Sequence, residues 1–330
     1  MKKLIFIVPM IFVLGACHHP VNNNNNNDKP VQQVQLPDFS EDTAYYYTKA
    51  QFDFGPRVNN SPAHEKCGVY LVARLKQYAD VVKVQRASVK AYNGTMLKSE
   101  NIIASFKPEN TQRIMLCSHW DSRPIADHDP NPADRKKPVD GANDGASGVG
   151  ILIEIARQLS IAKPNIGVDL ILFDAEDYGA PESASQNSED SWCLGSQYWS
   201  SHPHTDGYKA RFGILLDMVG AEDATFFMEG ISMYYAPDVT KKVWDIANEL
   251  GFSNYFSYTP SGSLTDDHYY INKIAKIPTV DIIHQVPGSE NGFFPYWHTT
   301  KDNMDNISRK TLKIVGQTLM VVIRREGAPA

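Results

Sequence analysis

The chain has 330 residues, of which 42% are hydrophobic, 11% aromatic and 21% charged, a globular composition that excludes disordered, fibrous and coiled-coil classes. Lysine and arginine total 32 against 38 aspartates and glutamates, a net charge of −6 without a basic stripe, so no nucleic-acid partner gripped through phosphates is expected. Four cysteines, Cys17, Cys67, Cys117 and Cys193, are too few and too scattered for a disulfide scaffold or a cysteine-ligated zinc site.

Lys2 and Lys3 precede an apolar run from Leu4 to Leu14, too short to span a bilayer and suited to a signal peptide. The run ends Leu14-Gly15-Ala16-Cys17, small residues before a cysteine, which resembles the bacterial lipoprotein cleavage box. Residues 1–16 are therefore expected to be a lipoprotein signal peptide, with Cys17 lipidated and anchoring the chain to a membrane. The unbroken asparagine run from Asn22 to Asn27 and the Gln/Val-rich stretch after it cannot bury a core, so residues 17–36 read as a flexible tether. The folded body, 37–330, is expected on the periplasmic side of a bacterial envelope. His19, not aspartate, is second after Cys17, which favours the outer membrane over the inner. That oxidising compartment allows one disulfide among Cys67, Cys117 and Cys193 without specifying the pair.

Within the body, apolar spacing predicts helices over 39–54 and 63–78, with Asp38 or Ser40 capping the first and Ser61-Pro62 opening the second. Alternation over 81–91 predicts a half-buried strand, with 102–106 as its neighbour. Short apolar runs at 113–118, 168–173, 212–216 and 276–283 read as buried strands; 146–159, an amphipathic pattern, 236–250 and 308–325 read as helices. Strands separated by helices imply an α/β fold: one domain, a three-layer sandwich with a mostly parallel central sheet and helices on both faces. No exposed apolar face stands out, and a monomer is expected.

Polar residues collect where these strands stop. His119, Asp121, Glu176, Asp177 and Asp217 each follow an apolar strand, Asp144 sits in the loop Gly141-Ala142-Asn143-Asp144-Gly145, and His298 lies in a late loop. Ligand crevices of open α/β sheets lie beyond the carboxyl ends of the strands. Crowded carboxylates need protons or a cation, and a mixed imidazole–carboxylate set suits zinc.

His119-x-Asp121, the GANDGASGVG loop, the FDAED segment, LLDMVG and YWHT occur in the order and spacing of the zinc aminopeptidase and glutaminyl cyclase superfamily, which the chain resembles from about residue 110 to 305. Within it the chain is most similar to glutaminyl-peptide cyclotransferases, through Ser191-Trp192-Cys193-Leu194-Gly195-Ser196, Asp266-Asp267-His268, Trp297 directly before His298, His119-Trp120-Asp121-Ser122 and Leu216-Asp217. Two departures point to a bacterial branch. Many members carry Glu-Glu where this chain has Glu176-Asp177, and animal cyclases carry a histidine at Asp281.

The resemblance implies one Zn2+ held by Asp144, Asp177 and His298, with ligands for a second formally present through His119 and Asp217. It implies cyclisation of N-terminal glutamine on peptides or exported proteins, with loss of ammonia. Glu176 is the candidate proton shuttle, because one carboxyl beside both nitrogens can move a proton from the attacking amine to the departing amide. Asp217 and Asp266 would hold the amide nitrogen, sharing a proton; Trp192 and Trp297 would wall the slot, and Asp267 would adjoin the substrate. Two readings stand beside this one, a two-metal aminopeptidase using His119, Asp144, Asp177, Asp217 and His298, and a non-catalytic binding lipoprotein, in which loss of ligands would be expected.

Overall fold

In the computed structural model, which describes residues 38–181, 183–184, 189–289 and 291–328, the chain enters through two capped helices. Ser40 accepts the Thr43 N–H to start α1 (Glu41–Phe52), so it is Ser40 and not Asp38 that caps. Ser61 accepts the His64 N–H to start α2 (Pro62–Lys76), with Pro62 at the first helical position, where its missing N–H costs nothing. The expected signal peptide, lipidated Cys17 and tether lie outside the described residues.

Next come β1 (Val81–Lys90), β2 (Met96–Phe106), β3 (Arg113–His119), α3 (Ala146–Ile161), β4 (Gly167–Phe173), α4 (Leu194–Ser201) and β5 (Gly213–Asp217). They are followed by β6 (Phe226–Met228), α5 (Gly230–Tyr235), α6 (Pro237–Glu249), β7 (Phe256–Pro260), α7 (Asp267–Tyr270), β8 (Thr279–Ile283) and α8 (Arg309–Glu326). Six strands form one sheet in the order β1-β2-β4-β3-β5-β8, while β6 and β7 pair apart from it. The strands β4, β3, β5 and β8 run parallel, in register Leu116 with Leu170 on one side and with Ile214 on the other. The short turn between β1 and β2 can only reverse the chain, so they pair antiparallel as a hairpin, and β2 adds antiparallel to β4. The sequence pattern finds the second half of β2 and misses its first, where Lys98, Ser99, Glu100 and Asn101 interrupt the apolar signal.

Period-two alternation sorts the core into the expected layers. Ile114, Leu116, Leu170, Leu172, Ile214 and Leu216 face one cluster with Leu71 of α2, Leu152 of α3, Trp244 of α6 and Leu319 of α8. Their neighbours Met115, Cys117, Ile171, Phe173 and Leu215 face the other way, against Trp199 of α4 and Ile271. α3 departs from the amphipathic expectation: it is buried nearly all round, between the sheet and α1. Gly150 permits this, because a Cβ there would lie 2.2 Å from Thr48 Oγ1 of α1. Cys67, Cys117 and Cys193 are all buried and free, so the allowed disulfide is not formed. Among the described residues no helix is long and apolar enough to cross a membrane.

Candidate active site

Parallel strands aim their carboxyl ends at one edge of the sheet, and the sequence-selected residues meet there. His119 ends β3 and Asp217 ends β5, with His119 Nε2 lying 3.2 Å from Asp217 Oδ1 and 2.9 Å from Asp144 Oδ1. After β4, Ala175 takes a left-handed φ of 55°, which breaks the alternation of an extended chain. The buried Asp121 carboxylate then accepts the N–H groups of both Glu176 and Asp177, each at 3.1 Å. This kink and clamp bring two consecutive side chains to one site, which an extended strand would send to opposite faces.

Asp144 is not the cap of α3; Gly145 holds that place without a side-chain cap bond. The Asp144 loop is instead gripped by Asp302, whose carboxylate accepts the N–H groups of Asn143 and Asp144 at 2.8 and 3.0 Å. His298, itself at a left-handed φ of 54°, places Nε2 3.2 Å from Asp177 Oδ1 and 3.6 Å from Asp144 Oδ2.

Two groups of metal-class donors result, Asp144–Asp177–His298 and His119–Asp144–Asp217, sharing Asp144; within each, one ligand atom per residue lies within 4.8 Å of the others. The first fits a zinc ion. It offers one imidazole and two carboxylates, all buried, and apart from the His298 imidazole at 3.2 Å nothing among the described residues satisfies Asp177 Oδ1. Burial and the adjacent Asp144 push the Asp177 carboxyl up to about 6, and the same causes push Asp217 up to about 7. Burial lowers the imidazole of His298, but Asp177 and Asp127 override it and raise its affinity for a proton. A cation between these groups removes the mutual repulsion of the carboxylates.

Beside the first trio opens a cavity of about 200 Å³. Trp192 and Trp297 line it, as expected, together with Glu176, Asp217, Asp266 and an apolar floor from Leu264, Ile283 and Phe293. Trp297 stacks on His298 at 3.7 Å, and the Trp192 ring lies nearly parallel to the same imidazole. Trp192 fits because the facing residue is Gly179, where a Cβ would come within 2.0 Å of its ring. Asp267, expected beside the substrate, is fully buried and does not line the cavity. It opens α7, where Asp266 is the cap and accepts its N–H. Behind Asp266 lies Asp281, which with Asp266 and His268 forms a third buried group. Burial and Asp266 raise the Asp281 carboxyl well above its usual range, so Asp266 has Asp281, and not only Asp217, with which to share a proton.

Several residues that hold the site carry no marker in the sequence. Arg57 is buried and donates to the carbonyls of Trp120, Asp140 and Gly141. Arg123 donates to the carbonyls of Asp177 and Gly179, pairs with Asp127, and lies 4.4 Å above the Trp192 ring. Asp127 faces His298 Nδ1 at 3.4 Å, which orients the imidazole and enriches its Nε2. Asp127→Ala is expected to weaken zinc binding about 10–100-fold, measured by competition with a chelator, and to lower the melting temperature, because the buried Arg123 loses its carboxylate partner.

Glu229 supports the far wall. Its carboxylate accepts the N–H groups of Ile231, Ser232 and Leu264 and lies 3.1 Å from His268 Nε2. Burial alone would raise its pKa; the His268 bond and the backbone N–H groups instead hold it at about 2, against an ordinary 4.5. A carboxyl depressed on folding stabilises the protein fully above pH 4.5 and stops doing so as pH falls towards 2. Glu229→Gln should therefore lower the melting temperature at pH 7, and the gap to the unaltered protein should close between pH 4.5 and 2.

Comparison with known proteins agrees with this geometry. The model of peptidase family M28 matches residues 101–323. A glutaminyl cyclase from Bacteroides thetaiotaomicron, solved bound to N-acetylhistamine, shares 51% identity and a TM-score of 0.86, covering 88% of this chain and 99% of that one. A Zn-dependent exopeptidase from Parabacteroides distasonis ATCC 8503 shares 52% identity at TM-score 0.86, with the same coverage. Aminopeptidase YwaD of Bacillus subtilis (strain 168) is 26% identical over 270 residues, 78% of this chain; the match spans about half, 51%, of that relative.

Proposed function

The chain belongs to peptidase family M28, and we propose that within it this protein is a zinc-dependent glutaminyl-peptide cyclotransferase that converts N-terminal glutamine of peptides and exported proteins to pyroglutamate. The observation that carries the reading is the cavity. It is small, walled by Trp192 and Trp297, and holds Glu176 and Asp266 beside the Asp144–Asp177–His298 trio. A flat glutamine side chain fits such a slot between aromatic faces. The likeness to a solved glutaminyl cyclase at 51% identity over nearly all of that chain supports it.

In the reaction the substrate's α-amine attacks its own γ-carboxamide, the new N–C bond closes the ring, the old C–N bond breaks, and ammonia leaves. A zinc ion held by Asp144, Asp177 and His298 would draw electron density from the γ-carbonyl. Burial, Asp177 and Asp266 raise the Glu176 carboxyl well above its usual range, which makes it basic enough to take the amine proton and acidic enough to release it. Glu176 then delivers that proton to the departing nitrogen. Asp266 and Asp217 line the same cavity and orient the amide by hydrogen bonds, with Asp281 sharing a proton behind Asp266. The tryptophans limit water near the carbonyl, which favours ring closure over hydrolysis.

The His119–Asp144–Asp217 group supports a second reading, an aminopeptidase with two ions. We prefer one ion, because a proton on His119 Nε2, which lies within 3.2 Å of both Asp144 and Asp217, satisfies that group without a metal. Burial opposes that proton, yet Asp121, Asp144 and Asp217 together raise the His119 pKa well above its usual value. An assay separates the readings: ammonia and pyroglutamate from glutaminyl peptides support the cyclase, and free amino acids released from aminoacyl anilides support the peptidase. The Lys2-Lys3, apolar-run and Cys17 pattern supports a lipid-anchored enzyme on the periplasmic side of a bacterial envelope, and His19 favours the outer membrane.

A further inference from the structure

The structure assigns Cys193 the part of a positioning residue for Glu176: its thiol donates a hydrogen bond to Glu176 Oε1, at 3.2 Å, and holds the shuttling carboxyl toward the substrate. The assignment rests on the cyclase reading above. Cys193 is wholly buried, directly before α4, and its backbone is tied to the same residue, with its N–H donating to the Glu176 carbonyl at 2.9 Å. The next residue repeats the tie, Leu194 N–H to the Ala175 carbonyl at 2.9 Å. Glu176, Cys193 and Asp266 each bring an atom within 4.8 Å of the other two, so the thiol lies beside two carboxyls that line the cavity without lining it itself.

Two physical points single out this thiol. Cys193 adopts φ 58° and ψ 33°, left-handed and without a side-chain cap bond, a conformation that glycine takes without strain. Glycine would relax this backbone, whereas the cysteine side chain reaches Glu176. A thiol is also a weak donor. An arginine or lysine in its place would bring a charge and several donors, whereas the thiol offers a single S–H and steers one oxygen.

The test uses Cys193→Gly, which relieves the backbone and is therefore expected to fold, Cys193→Ser, and both in a Glu176→Ala background. Cys193→Gly should lower kcat on a glutaminyl peptide roughly 10-fold, with KM and zinc content unchanged. Cys193→Ser should recover part of the loss. In the Glu176→Ala background, Cys193→Gly should change the residual rate by less than about twofold, since nothing remains to position. An equal loss in both backgrounds would overturn the assignment. Infrared spectroscopy gives a readout independent of turnover: the S–H stretch that vanishes in Cys193→Gly should move to higher frequency in Glu176→Ala. An unmoved band would also overturn the assignment, whereas absence of ammonia release by the unaltered protein would count against the cyclase reading alone.

Discussion

Glu176→Gln should lower kcat for cyclisation of N-terminal glutamine by about 10²–10⁴-fold, with KM and bound zinc nearly unchanged. The carboxamide matches the carboxyl in size and can still accept the Cys193 thiol, so the cavity keeps its shape. What it loses is the ability to take a proton from the amine and return it to the leaving nitrogen. The magnitude follows from the site. Glu176 lines the cavity beside Asp266, and burial with Asp177 and Asp266 keeps its proton affinity high. Stopped-flow or coupled ammonia detection reads the effect, and turnover within a few-fold of the unaltered protein would remove Glu176 from the proton path.

An effect at least as large is expected for His298→Ala. The variant removes the imidazole from the Asp144–Asp177–His298 trio and leaves two buried carboxyls 1% and 4% exposed. Two carboxylates alone are a poor zinc site, so metal content should fall from about one ion per chain to near none, and activity by more than about 10²–10³-fold. Added zinc at high concentration should restore little. The tryptophan emission should also change, because Trp297 stacks on this imidazole at 3.7 Å and Trp192 lies parallel to it. Full zinc content in purified His298→Ala would mean that the ion is held elsewhere, with His119, Asp144 and Asp217 the first alternative.

Much of this site is legible in the chain because strand ends announce themselves. The runs ending at His119, Phe173 and Asp217 are apolar and short, and His119, the Glu176–Asp177 pair and Asp217 fall at or just past those ends, on one edge of a parallel sheet. Sequence reasoning cannot reach how Glu176 and Asp177 share a pocket. That depends on Ala175 at φ 55°, a conformation alanine does not favour on its own and which the surrounding contacts impose. Asp302 is equally hidden, since it looks like any loop acid; Asp121 is marked by the His119-x-Asp121 motif, but its task is not. Only tertiary structure shows the two carboxylates accepting pairs of backbone N–H groups beneath Glu176, Asp177 and Asp144. The buried Arg57 and Arg123 follow the same logic, since a charged residue in a polar stretch reads as solvent-exposed until the carbonyls it serves are seen. Asp267, which the resemblance implies beside the substrate, opens α7 and is fully buried, outside the cavity lining.

Anomalous diffraction at the zinc edge from crystals of the purified protein tests the core of this account most directly. One strong peak is expected, bonded at about 2.0–2.2 Å to Asp144, Asp177 and His298, with a position left open towards Glu176 and the tryptophan-walled cavity. A peak centred on His119 and Asp217 instead, or no density within bonding reach of the trio, would contradict it.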